Sequence, residues 1–276
     1  MNRRIINTGL LIILTMSIMA QEQERVNSFS LNWGMGHVKR QDLSFSPMIH
    51  QDWSALNFAF SYERSKKLEQ EALVRFSHYA PMVGEPYEFD LYFNTEKLST
   101  YPHTFTQLDV NYALGKNIVE RGNFNLALGG KARIRLWPSN YMWGDNGSFG
   151  YYISNGLDAW LKMGYKLNDK NHLRAHVGLP IFSFVSRSPY MSQNDEYFAD
   201  NLEHNDVKSL MNFLKRSELQ SWGLSQGVDL DLAYFHAFSA RWELGASYWL
   251  SMNFNQAPTP LASTEHTFFI STMLKF

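Results

Sequence analysis

Beyond residue 26 the sequence consists of short segments in which apolar side chains alternate with polar or small ones. In the segment 108–114, for example, Leu, Val, Tyr and Leu alternate with Asp, Asn and Ala. Successive side chains of an extended strand point to opposite faces, so this pattern predicts strands with one apolar and one polar face. The connections alternate in length, with short ones at 65–68, 116–123, 167–171 and 238–241 and long ones at 38–52, 80–102, 137–150, 187–222 and 255–263. About ten antiparallel strands are therefore predicted.

The apolar faces are predicted to contact lipid, because a soluble β-sandwich would turn polar residues outward. Aromatic residues make up 15% of the chain and charged residues 18%, fewer charges than the usual share of about 25% in globular chains. No run of 18 apolar residues follows residue 20, so no transmembrane helix is predicted. An open sheet edge would leave unpaired backbone groups in hydrocarbon, so the sheet must close. The predicted fold class is all-β: a transmembrane antiparallel up-and-down β-barrel of about ten strands, or twelve if 42–46 and 87–93 are also strands.

The last ten residues, 267–276, form a strand pattern that ends in an aromatic residue. One face carries Phe268, Ile270, Thr272, Leu274 and Phe276, and positions 267, 269, 271 and 273 are expected inside. This ending resembles the C-terminal strand of bacterial outer-membrane β-barrel proteins. The resemblance implies that the barrel-assembly machinery reads Phe268, Ile270, Leu274 and Phe276 as an assembly signal during insertion, and that outer-membrane lipid surrounds the barrel.

The first twenty residues have the composition of a secretory signal peptide. Arg3 and Arg4 are basic, residues 5–19 are mostly apolar, and Ala20 precedes a polar stretch. Cleavage near Ala20 is expected, leaving a single barrel domain over 21–276 in the outer membrane of a Gram-negative bacterium. The chain contains no cysteine, which excludes a lipidated lipoprotein, a disulfide framework and thiolate metal sites.

The polar faces carry charged residues of both signs, which are expected to form a lumen charge network. Its predicted members are Glu63, Arg75, Asp109, Lys131, Arg133, Arg135, Asp158, Lys162, Arg174, Asp229, Asp231 and Glu243. Basic residues are concentrated on the middle strands and acidic residues on earlier and later ones, so opposite charges should meet across a narrow lumen. Two interpretations follow: packed ion pairs that fill the barrel, or the charged constriction of a narrow, porin-like solute channel.

Candidate catalytic and metal-binding residues are few. Ser154, Asn155 and Gly156 are similar to the His-x-Ser-Asn-Gly element of outer-membrane phospholipase A, but Tyr152 stands at the position of the histidine that activates the serine. Omptin-like outer-membrane proteases use aspartate pairs and an Asp-His pair, whereas His236 is predicted to point outward, away from the nearby aspartates. The two histidines at 172 and 176 lie about 13 Å apart on a strand, too far to share one metal ion. No catalytic residue, cofactor or metal site is predicted, and the interpretation leans against an enzyme.

The predicted function is that of a structural or partner-binding barrel, an accessory subunit of an envelope complex. A narrow solute channel is the first alternative, and a lipid-active outer-membrane enzyme is the second. Extracellular loops 80–102 and 187–222 are the predicted surfaces for a protein partner. The second loop contains apolar residues near helical spacing, namely Leu202, Val207, Leu210, Met211 and Leu214. A net charge of −1 argues against a nucleic-acid partner.

Aromatic rings fall mainly near the ends of the predicted strands. Amphipathic rings at such positions settle at the lipid headgroups, so these are expected to anchor the barrel in the membrane. The expected anchors are Trp33, Trp53, Trp137, Trp143, Trp222, Trp242, Trp249, Tyr79, Tyr165 and Tyr248.

Overall fold

A computed structural model describes residues 27–276 except 83, 86–87, 91–96, 144–145 and 192–204. The predicted signal peptide, its expected cleavage site near Ala20, and Leu202 of the predicted helical stretch lie outside these residues. The strands are β1 (Asn27–Asp42), β2 (Ser46–Ser65), β3 (Glu69–Tyr79), β4 (Glu88–Asp90), β5 (Lys97–Ser99), β6 (Thr104–Arg121), β7 (Phe124–Trp143), β8 (Asn146–Lys166), β9 (Asn171–Arg187), β10 (Glu218–Ser221), β11 (Ser225–Ala237), β12 (Trp242–Asn255) and β13 (Leu261–Lys275). Helix α1 (Asp206–Lys215) lies in the predicted helical stretch. Within the described ranges, no helix is long and apolar enough to cross a membrane.

Ten strands form one closed antiparallel barrel, in the order β1, β2, β3, β6, β7, β8, β9, β11, β12 and β13. Strand β13 pairs with β1 along its whole length and closes the sheet. The backbones of Asn27 and Phe276 exchange hydrogen bonds of 3.2 and 2.9 Å at the end of the barrel that carries the short turns, termed here the lower end. The predicted ten-stranded up-and-down barrel is therefore confirmed.

The twelve-strand alternative is wrong, because among the described residues neither of the two extra segments forms a further strand of the barrel. Residues 43–45 form a tight turn in which the Phe45 amide donates to the Asp42 carbonyl at 2.9 Å. Strand β4, in the second candidate segment, pairs with β5 in a separate two-stranded sheet.

Two of the five predicted long connections are mostly strand, and a third is shortened by strand at both of its ends. Strands β1 and β2 continue through 38–52 except at their turn, β7 and β8 continue to residues 143 and 146, and β12 and β13 leave only 256–260 between them. On the upper part of β1 the outward positions are His37, Lys39 and Gln41, whereas lower down they are apolar. Above the apolar zone the outward side chains are no longer apolar, but the backbones of neighbouring strands remain paired. The sequence pattern alone therefore predicts that the loops begin several residues before the strands end.

The outer wall of the barrel is apolar around its whole circumference. Each barrel strand exposes at least one large apolar side chain, and together these form the lipid-facing belt, represented by Trp33, Phe60, Val74, Tyr112, Ile134, Leu157, Leu179, Leu232, Leu244 and Ile270. On the C-terminal strand, Phe268 and Ile270 are 60% and 66% exposed, while Phe269 between them is buried inside. An exposed apolar belt of this kind is stable in hydrocarbon and unstable in water.

Three rings that were expected to anchor the barrel in the membrane instead point inward. Tyr79, Trp137 and Trp249 are all buried. Trp249 packs against Leu73 and Phe269 inside the barrel. The position of these rings near strand ends suggested an anchoring role. The two-residue period of each strand decides which face a side chain occupies, however, and it places all three rings on the inner face.

Candidate functional site

All twelve predicted members of the lumen charge network project into the interior from barrel strands, and each takes part in at least one ion pair. Several pairs join strands that are far apart in the sheet. Lys162 on β8 contacts Glu63 on β2, for instance, with their charged atoms 2.8 Å apart. The network therefore ties opposite walls of the barrel together through its interior.

The centre of the network is built on β7. The two-residue period of this strand places Lys131, Arg133 and Arg135 on the inner face, about 7 Å apart. Asp229 on β11 accepts hydrogen bonds from Arg135 Nη2 at 2.6 Å and from Lys131 Nζ at 2.9 Å. Asp158 on β8 lies 3.2 Å from Lys131 Nζ and 3.4 Å from Arg133 Nη2. The three stacked cations thus share two carboxylates from neighbouring parts of the wall.

A second group surrounds Arg75 on β3. Its two terminal nitrogens lie 2.6 Å from carboxylate oxygens of Asp109 on β6 and of Glu265 on β13. The Trp137 indole N–H donates to Asp109 at 2.8 Å. The Arg75 guanidinium also lies over the Trp249 ring, 5.1 Å from its centroid. The hydrogen bond to Asp109, the ion pair with Glu265 and the ring contact together compensate the burial of this cation.

A third group lies nearer the lower end. Lys162 Nζ donates to Glu63 at 2.8 Å and to Glu69 at 3.0 Å. Arg174 also pairs with Glu63, and His176 Nδ1 lies 3.0 Å from a Glu71 oxygen. Carboxylates from β2 and β3 therefore hold basic side chains from β8 and β9.

These side chains leave little free space inside the barrel. Asp158 is 0% exposed, Arg135 1%, Arg75 2% and Asp229 4%. A cavity of about 20 Å³ lies at mid-height between Lys131, Asp229 and their neighbours, which is room for about one water molecule. At these levels the charged side chains pack against one another and against inward aromatic rings.

Sequence reasoning missed several interior charges. Glu69 and Glu265 belong to the groups described above, and Arg187 on β9 pairs with Asp42 on β1 at the upper end. Glu265 lies two residues before Thr267, so extending the two-residue period of β13 by one step would have found it. Asp42 and Arg187 were missed because their positions were assigned to loops or to the boundary of a loop.

A histidine pair lies at the upper end, above the lipid-facing belt. His50 is buried, its ring centroid is 4.6 Å from that of His103, and Tyr141 packs on the same side. Neither ring nitrogen of His50 has a hydrogen-bond partner among the described residues. Burial, together with His103 and the nearby Arg40, lowers the pKa of His50 from 6.5 to about 4. His50 is therefore held as neutral imidazole at neutral pH.

The residues considered for catalysis are separated in the structure. Ser154 is fully buried on the inner face, and its hydroxyl has no hydrogen-bond partner among the described residues. His236 lies on the outer surface, with Nδ1 2.8 Å from Asn171 Oδ1. His172 and His176 face different carboxylates, Glu243 and Glu71, and no group of three metal-ligating side chains occurs in the described part of the chain.

Comparisons with known proteins show a shared fold. No protein-family model matches the chain, and no curated protein matches it. The outer membrane protease OmpT from Escherichia coli has a similar structure, with a TM-score of 0.57 and 6% identity over 94% of this chain and 99% of that one. The translocator domain of the autotransporter NalP from Neisseria meningitidis has a TM-score of 0.43 and 6% identity over 98% of this chain and 95% of that one. Neisserial surface protein A has a TM-score of 0.36 and 11% identity over 90% of this chain and 97% of that one.

At 6% identity, the likeness to OmpT establishes the architecture alone. The protein has the fold of bacterial outer-membrane β-barrel proteins. The resemblance inferred from the C-terminal strand is thus confirmed at the level of the fold.

Proposed function

We propose that the protein is a non-conducting barrel of the bacterial outer membrane that serves as the membrane-embedded, partner-binding subunit of an envelope complex. The observation that carries this proposal is the packed lumen charge network. A channel needs polar groups that remain in contact with water along its path. The central charges here are instead paired with one another and almost completely buried.

The energetics of buried charge also favours packed ion pairs over an open channel. Buried ion pairs cost desolvation energy, which close contacts between opposite charges help to recover. Arg75 and Arg135 both meet carboxylates at 2.6 Å. Opening a path for ions would break these contacts and leave charges unpaired, so the packed arrangement is expected to persist.

The upper end of the barrel offers the surface for a protein partner. The paired hairpins β1–β2 and β7–β8 rise above the lipid-facing belt, and the partner loops 80–102 and 187–222 belong to the same end. A recess of about 340 Å³ opens there, lined in part by Arg187, Pro189, Glu218 and Pro258. Its mixture of charged side chains and rigid prolines suits a polypeptide segment that carries both signs of charge.

Assembly in the outer membrane completes the proposal. The side chains of Phe268, Ile270 and Phe276 are exposed on the outer face of β13, where a recognition machinery has access to them before the barrel closes. We infer that they and Leu274 form the signal read by the barrel-assembly machinery, after a signal peptide has been removed near Ala20. Replacing Phe276 with Ser should reduce the amount of folded protein in outer-membrane fractions without altering export to the periplasm.

Two experiments test the function. Purified protein in planar bilayers is expected to show no unitary conductance, and reproducible conductance steps would refute the non-conducting barrel. Affinity purification of the tagged protein from its own membranes in a mild detergent is expected to recover a stoichiometric protein partner. Recovery of the monomer alone, under conditions that preserve known envelope complexes, would refute the accessory-subunit function.

A further inference from the structure

Helix α1 packs on the outside of the barrel rather than over its mouth. The Phe213 ring lies 4.5 Å from the Tyr151 ring, measured between centroids, and Phe213 also contacts Ile153. Tyr151 and Ile153 point outward, because Tyr152 between them faces the interior. The Ser186 hydroxyl on β9 donates to the Phe213 carbonyl at 2.7 Å. The helix is thus attached to the outer faces of β8 and β9.

The level of this contact is the upper edge of the lipid-facing belt. On β9 the outward apolar residues run from Leu173 to Phe184, and Ser186 follows two residues later. Eleven residue steps on a strand tilted by about 40° rise about 28 Å, close to the height of about 25 Å typical of such a belt. Leu219 on β10 pairs with Phe184 and is 62% exposed on the same side. Helix α1 therefore lies where the apolar wall gives way to the polar zone.

The outer face of the helix combines basic and apolar side chains. Ser209 and Phe213 are buried against the wall, whereas Lys208, Met211 and Lys215 are exposed on the opposite face at helical spacing. Met211 is 53% exposed, and exposed Arg216 follows the helix directly. Between 206 and 216 the sequence carries three cations and one anion, Asp206. Basic side chains around an apolar centre are typical of helices that lie in a membrane interface.

We propose that α1 is an interfacial anchor that binds phosphate-bearing lipid headgroups of the outer leaflet through Lys208, Lys215 and Arg216. Met211 and Leu219 lie at the boundary with the acyl chains, while the basic groups extend toward the phosphates. The charge complementarity and the position at the edge of the apolar wall favour lipid over a protein partner. The inference rests on the proposed membrane location, but not on the accessory-subunit function.

The absence of cysteine from the chain permits a site-specific test. The full-length protein is folded into vesicles of phosphatidylcholine with or without phosphatidylglycerol, carrying one fluorescent label at Met211→Cys. A matched control carries the label at Gln41→Cys, an outward position on the upper part of β1 away from the helix. Lipids spin-labelled at the headgroup should quench the label at position 211 strongly and the label at position 41 weakly. Quenching at 211 by aqueous iodide, with none by the lipid probe, would overturn the proposal.

The headgroup preference is tested with Lys208→Gln, Lys215→Gln and Arg216→Gln in the labelled protein. Each basic residue near an anionic surface contributes about a fivefold preference, so each substitution should weaken quenching by spin-labelled phosphatidylglycerol about fivefold relative to spin-labelled phosphatidylcholine. An unchanged ratio in the triple variant would refute recognition of the phosphate. Heat-modifiable migration on gels verifies that each variant is folded. Failure of the wild-type barrel to insert into either vesicle would instead refute the membrane location itself.

Discussion

Replacing Asp229 with Asn tests whether the lumen charge network stabilises the barrel. The Asp229 carboxylate is 4% exposed and accepts hydrogen bonds from Arg135 at 2.6 Å, Lys131 at 2.9 Å and the Ser251 hydroxyl at 2.8 Å. After the substitution Lys131 keeps Asp158 at 3.2 Å, but the nearest remaining carboxylate oxygen to Arg135 belongs to Asp109, at 3.9 Å from Nε. The variant therefore contains a buried guanidinium with weakened compensation.

The expected cost follows from that loss of compensation. Removing one partner of a buried ion pair costs about 3–5 kcal/mol, and the Asn amide oxygen retains one hydrogen bond worth about 1 kcal/mol. We therefore expect the free energy of unfolding to fall by about 3 kcal/mol, roughly a 100-fold change in the folding equilibrium. Urea unfolding in lipid vesicles, followed by tryptophan fluorescence and circular dichroism, measures the change.

A matched substitution in a turn separates the effect of losing a buried, paired carboxylate from the effect of losing any carboxylate. Asp169→Asn removes the same charge from an exposed position between β8 and β9, and its effect should stay within about 0.5 kcal/mol. The reasoning is refuted if Asp229→Asn is no more destabilising than Asp169→Asn. Combining Asp229→Asn with Arg135→Met should recover part of the lost stability, since the unpaired cation is then also removed.

Three further predictions address the wall, the lumen and the upper end. Gly34→Ala should destabilise the barrel by about 1–3 kcal/mol in urea unfolding, because the added Cβ would lie 2.0 Å from a backbone oxygen. Gly130→Ala is the control: its added Cβ has its nearest contact at 3.6 Å, so the cost should be less than about 1 kcal/mol. Equal effects of the two substitutions would contradict the steric argument. The double variant Arg135→Ala with Asp229→Ala should conduct ions in planar bilayers, and a silent bilayer with folded variant would argue that other side chains suffice to close the lumen. Because burial lowers the pKa of His50 to about 4, the unfolded chain takes up a proton near pH 6.5 that the folded chain resists, so stability should fall as the pH drops from about 6.5 toward 4. His50→Phe should reduce this pH dependence in urea unfolding, and an unchanged dependence would assign it to other groups.

Much of the barrel could be predicted because strand faces are a local property. The two-residue period assigned Arg135 to the interior and Ile270 to the outside without knowledge of any neighbouring strand. The two-residue period is also more reliable than position along a strand. The place of Trp249 near a segment end predicts a ring at the membrane interface, whereas its position in the two-residue period correctly predicts that it points inward.

The upper end was predicted less well, because the apolar signal stops there while the backbone pairing does not. Outward residues such as Lys39 and Gln41 are polar above the lipid-facing belt, and a pattern search therefore read ordered strand as loop. For the same reason the Arg187–Asp42 pair was not foreseen. In this part of the wall every second side chain still points inward, but the outward side chains are polar as well, so the sequence no longer alternates between apolar and polar residues.

By itself, the sequence determined that the chain forms a closed antiparallel barrel, which faces point outward, and which charges lie inside, since each of these follows from the alternation within single strands. Only the tertiary structure decided which of those charges meet, and that α1 packs on the outer wall. Arg75 contacts Glu265, although the two residues are far apart in the sequence. They meet because the number of strands and their stagger around the barrel bring β3 and β13 to the same height. Strand number and stagger depend on how the whole sheet closes, and no single segment of sequence specifies that closure.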